Sequence, residues 1–128
     1  MTVLVGYVPS PQGEAALHAG ISEARRRAEP LVVVNTARGD IPADPRLAPE
    51  EDLDRVMRIL NHSEVVFDLR QVAGDPAEEI VELAADLPAS VLVIGIRRRS
   101  PVGKLIMGST AQRVLLDAPC PVLAVKSH

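Results

Sequence analysis

The segment from Gly95 to Gln112, GIRRRSPVGKLIMGSTAQ, gathers the residues best suited to holding a polyanion. Arg97, Arg98, Arg99 and Lys104 supply cationic donors, and no carboxylate occurs between Asp86 and Asp117 to neutralise them. Guanidinium forks match phosphate oxygens in geometry as well as charge. Gly108 lets the backbone come close to a ligand. Ser109 and Thr110 then open a helix-like stretch, where hydroxyls and unpaired backbone N–H groups suit phosphate oxygens. A plainer reading stands beside this one. Ser109 then only caps a helix, and the arginines form a solvated turn or pair with carboxylates elsewhere.

Other chemistry finds little support. His18, His62 and His128 are far apart and lack the spacing of a metal-ligand set. Cys120, between Pro119 and Pro121, reads as a small packing residue. No G-x4-G-K-[S/T] phosphate loop is present, and no carboxylate lies in either loop that could line a pocket. Nucleotide hydrolysis needs a base or water-positioning group and metal ligands. The expectation is therefore binding without dedicated catalysis, weak ATP hydrolysis remaining open.

Composition narrows the setting. The chain has 128 residues, enough for one domain with a substantial core, here residues 1–128. Its apolar runs are short, far below the roughly 18 residues of a membrane span. The start, MTVLVGYVPS, lacks the basic and long apolar regions of a secretory signal. A lone cysteine excludes an internal disulfide and fits a reducing cytoplasm. Net charge is −3 and aromatic residues are almost absent, which argues against a nucleic-acid partner. A basic loop on an acidic chain points to a local anion site.

The elements that must position this loop follow from periodicity. Five apolar runs, Val3–Val8, Leu31–Thr36, Val65–Leu69, Val91–Ile96 and Val122–Val125, are mostly continuous, as in strands buried on both faces of a parallel sheet. Four amphipathic segments alternate with them. The first, Glu14–Ala28, places Ala16, Leu17, Gly20, Ile21 and Ala24 on one face. The second, about Pro49–Leu60, aligns Leu53, Val56, Met57 and Leu60. The third starts from Asp75 as N-cap with Pro76 at the first position and Glu78 as capping-box partner, and buries Ile80, Val81, Ala84 and Leu87. The fourth starts near Ser109 and buries Ala111, Val114, Leu115 and Ala118. The stretch Ala37–Ala48 reads as an exposed excursion.

This alternation predicts an α/β fold: a three-layer sandwich with an open five-stranded parallel sheet and helices on both faces. With strand order 3-2-1-4-5, ligands are expected beyond the carboxyl ends of strands 1 and 4, where the order reverses. The loop Pro9–Gly13 would then face the basic loop across a crevice.

The residues also resemble a known family. The chain is similar to the universal stress protein family from VLVGYVPSPQGEAAL at one end to STAQRVLLDAPCPVLAVK at the other. ATP-binding members carry G-x2-G-x9-G-[S/T], matched here by Gly95, Gly108 and Ser109. Two positions depart from the pattern. Arg98 replaces the middle glycine, and Val8 stands where an Asp is usual after strand 1. The resemblance implies a stress-response regulator that binds ATP, with Mg²⁺, or a related adenine nucleotide. Gly95, Gly108, Ser109 and Thr110 would hold phosphates and ribose with Arg97 and Arg98, and Thr36 and Ile94 would lie near the base. It also implies a homodimer through the last strand, Val122–Lys126, and protein partners the sequence does not identify. The alternative is a dimeric interaction module whose pocket Arg98 and Val8 have altered.

Overall fold

The computed structural model describes residues 1–36, 49–71, 74–96 and 109–127; at 49–52 and 109 it describes the backbone alone. The expected excursion Ala37–Ala48 and the basic stretch 97–108 lie outside these residues. The elements run β1 (Thr2–Tyr7), α1 (Pro11–Arg27), β2 (Leu31–Asn35), α2 (Pro49–His62), β3 (Phe67–Gln71), α3 (Pro76–Asp86), β4 (Ala89–Ile96), α4 (Ser109–Asp117) and β5 (Val122–Lys126). All strand pairs are parallel, in the order β3-β2-β1-β4-β5. The expected alternation and order both hold.

Strand periodicity divides the core in two. Val3, Val5, Tyr7, Leu31, Val33, Val91 and Val93 face α1 and α2, meeting Ala16, Leu17, Ile21, Ala24, Val56 and Leu60. Leu4, Val32, Val34, Leu92 and Ile94 point the other way, onto Ala77, Ile80 and Ala84 of α3 and Val114 of α4. Successive side chains of a strand take opposite faces, so apolar residues on both parities require helices on both sides. Leu4, Leu17 and Leu92 are wholly buried. Each such leucine contributes about 1.5–3 kcal/mol through the water-exposed area it loses.

The boundaries shift for identifiable reasons. Helix α1 begins at Pro11, three residues before the apolar stripe suggested, because Ser10 is its N-cap. Ser10 Oγ accepts from the Gly13 N–H at 2.9 Å, and Pro11 fills the first turn, where its missing N–H costs nothing. At its far end, Ala28 takes φ 55° as a left-handed cap, donating its N–H to the carbonyls of Ala24 and Arg25. Strand β3 starts at Phe67 instead of Val65, since Glu64 turns the chain with φ 62° before the ladder with Leu31 begins.

Two helix details also differ. Asp75 caps α3 by accepting from Glu78 N–H, but the reciprocal contact comes from Glu79, whose Oε1 accepts from Gly74 N–H at 3.2 Å. On α4, Val114 is fully buried and Leu115 is 39% exposed, so the buried stripe is narrower than expected. A nine-residue helix crossing β4 at the sheet margin lays one row of side chains on the core, and Leu115 falls beside that row.

Candidate functional site

The strand order places β1 beside β4, and the connections from these two strands leave in opposite directions across the sheet. Their carboxyl ends therefore lie at the strand-order switch, where open α/β sheets form their ligand crevice. On the β1 side the crevice is tightly built. Thr36, just after β2, donates both its N–H (2.8 Å) and its Oγ1 (3.0 Å) to the Tyr7 carbonyl. Ser10 Oγ donates to the Val8 carbonyl at 3.3 Å while capping α1. The expected loop Pro9–Gly13 is thus only partly a loop, because its second half is the first turn of α1.

Two glycines permit this compaction. A methyl on Gly13 would lie 1.8 Å from the Val8 carbonyl oxygen, and one on Gly95 would lie 2.2 Å from that of Gln12. Both obstacles are backbone, so no side-chain rotation could relieve them. Gly95 therefore lets the end of β4 press against the first turn of α1. The first glycine of the family motif is required by protein packing, whatever ligand lies above it.

The remaining expected residues fall in different places. Thr36 is 9% exposed at the carboxyl edge of β2. Its hydroxyl proton goes to Tyr7, and the oxygen keeps acceptor capacity. Ile94 is 5% exposed and its side chain belongs to the core beneath α3 and α4. Ser109 and Thr110 occupy the first turn of α4, whose N-terminal N–H groups have no partner within the helix. Arg97, Arg98, Arg99, Lys104 and Gly108, together with the Ser109 side chain, lie outside the described residues. Arg113 belongs elsewhere: its Nη1 meets the Asp75 carboxylate at 2.9 Å, joining α4 to the α3 cap.

Ser10, Gln12 and Gly13 were expected in the crevice loop, but not as the N-cap and first turn of α1. The signal was present as Ser-Pro, an N-cap followed by a first-turn proline. Apolar periodicity overshadowed it because the buried stripe of α1 begins only at Gly13 and Ala16. Among the described residues no group of three or more His, Cys, Asp and Glu is placed to hold a metal ion. No helix among them is long and apolar enough to cross a membrane.

Comparison with known proteins agrees with this architecture. The family model "Universal stress protein family" matches residues 1–126. A universal stress protein of Mycolicibacterium smegmatis is 49% identical over 127 residues, covering 98% of each chain. A universal stress protein structure from Archaeoglobus fulgidus aligns with a TM-score of 0.81 at 32% identity, covering 98% of both chains. A second structure from that organism, solved in complex with dAMP, aligns at 0.75 with 27% identity and the same coverage. With the family model matching residues 1–126 and the Mycolicibacterium relative matching nearly the whole chain, the chain belongs to the universal stress protein family.

Proposed function

We propose that this universal stress protein is a regulatory module that binds an adenine nucleotide in the β1/β4 crevice. The observation that carries the reading is the contact of Gly95 with Gln12, which brings the β4 end and the α1 start together at the strand-order switch. The sequence of the connection after β4 adds the basic stretch 97–108 and the helix start at Ser109, residue types that suit phosphates. The dAMP complex of the Archaeoglobus relative supports an adenine ligand. Thr36 offers its remaining acceptor capacity to a base amino group, and ATP with Mg²⁺ is the expected physiological form. Binding, with no dedicated turnover, is the proposed role.

The deciding experiment is a thermal-shift titration with AMP, ADP and ATP, with and without Mg²⁺. Saturation at about 100 times the dissociation constant raises stability by roughly 2.7 kcal/mol. No shift with any of the three overturns the proposal. A companion measurement is chromatography of material released from the purified protein by denaturation.

A second reading is favoured by Val8, which brings no carboxylate to the crevice and whose carbonyl is engaged by Ser10. In that reading the protein is an interaction module, and Arg98→Gly creates nucleotide binding that the parent lacks. Equal binding by parent and variant rejects it.

Both readings include a homodimer through β5. The two sheet edges differ in character. Edge strand β3 carries the exposed Asp68–Arg70 ion pair, a charged guard against pairing. Edge strand β5, VLAVK, leaves Leu123 39% exposed, and Leu116 on α4 is 83% exposed. Sedimentation of the parent and of Leu123→Lys tests the assignment: a dimer that becomes a monomer supports it, and a monomeric parent rejects it.

A further inference from the structure

At the other end of α1 from the nucleotide crevice, α1 and α2 part to form an open cleft of about 450 Å³. That volume falls within the size range of small-molecule sites, about 300–1,000 Å³. His18, Ser22 and Arg25 follow one another at i, i+4 and i+7, so they form one stripe along α1. Arg58 and His62, at i and i+4, form the opposing stripe on α2. Ile21 and Ile59 lie between the stripes and give the cleft an apolar floor.

The charge is one-sided. Among the described residues no carboxylate lines the cleft. The acids nearest along α1 are engaged elsewhere: Glu14 pairs with Arg55, and Glu23 holds Arg26 and Arg27. Arg25 is fixed by two donations to the Ser63 carbonyl, from Nε at 3.1 Å and Nη2 at 2.7 Å, leaving Nη1 for a ligand. His62 Nδ1 lies 2.7 Å from the Arg58 carbonyl. A carbonyl only accepts, so Nδ1 carries the proton and Nε2 is the ring nitrogen that remains for another partner. Two anchored side chains and two cations of one sign thus flank an apolar floor.

We propose that this cleft is a second anion site, independent of the crevice, that takes a small organic phosphate. The phosphate faces Arg58 and Arg25, with His18 and His62 at the rim, and the organic part covers Ile21 and Ile59. Its described lining contains none of the residues proposed to hold the nucleotide.

The test follows the imidazole resonances of the full chain by NMR at constant pH during titration with phenyl phosphate and, separately, inorganic phosphate. His18 and His62 report on the cleft. The expected result is a saturable shift of His18 and His62, with phenyl phosphate binding about fivefold or more tighter than inorganic phosphate because it covers the isoleucines. Arg58→Gln, an exposed substitution that keeps helix propensity, weakens binding about fivefold or more. The proposal is overturned if the two histidines show no saturable shift, if Arg58→Gln binds as the parent does, or if inorganic phosphate binds as tightly as phenyl phosphate. Loss of nucleotide binding in the crevice leaves all of these readouts unchanged.

Discussion

The α-carbon of Gly95 rests against the carbonyl of Gln12, close enough that a methyl group would lie 2.2 Å from the oxygen and 2.5 Å from the carbonyl carbon. This contact joins the end of β4 to the first turn of α1. It also explains why a motif glycine stands at this position in a strand that otherwise favours branched side chains.

Replacement of Gly95 by Ala should therefore destabilise the protein by about 1–3 kcal/mol, the usual cost of forcing atoms into a filled space. Gly6→Ala provides the contrast. Its methyl would meet the Ile80 Cδ1 atom at 3.4 Å, an ordinary contact, and its cost should stay below about 1 kcal/mol. Urea unfolding of the two variants checks the order. Similar midpoints would contradict the packing role of Gly95.

Ala28 ends α1 in the left-handed region at φ 55°, where a β-carbon crowds the neighbouring carbonyl. Ala28→Gly should raise stability by about 0.5–1 kcal/mol, the relief of strain being partly offset by the greater freedom of glycine in the unfolded chain. An increase in Tm is the expected readout.

Asp75 and Arg113 form an ion pair of unequal members. Asp75 also caps α3, through the Glu78 N–H, whereas Arg113 is half exposed and contributes only its solvent-screened hydrogen bond to Asp75. Asp75→Ala should cost about 1 kcal/mol and Arg113→Ala less than about 0.5 kcal/mol. Equal losses in chemical denaturation would show that the ion pair, not the cap, carries the energy.

Burial raises the pKa of the Cys120 thiol above its ordinary value, and a hydrogen bond with the Leu92 backbone offsets part of the rise. The folded state then holds its proton more tightly than the unfolded state. This contribution to stability is complete below the unfolded thiol's range, near pH 8.5, and is lost as pH rises through the folded value. Cys120→Ala should flatten that alkaline decline. Thiol-reagent kinetics of the parent should also show a midpoint displaced upward from that of free cysteine.

The residue pattern alone determined the strand and helix alternation, the two-sided core and the family motif. These depend on local periodicity: Val3–Tyr7 or Leu31–Asn35 cannot be solvated on either face, so helices must cover both. Tertiary structure decided which backbone atoms meet. It directed the Thr36 hydroxyl to the Tyr7 carbonyl, turned Ile94 into the core under α3 and α4, and left Leu115 exposed on a short helix. It also brought Arg58 and His62 opposite His18 and Arg25, across some 40 residues of chain. Periodicity gives each side chain a face. The partner on that face depends on how helices seat on a twisted sheet, through contacts between residues that are distant in sequence.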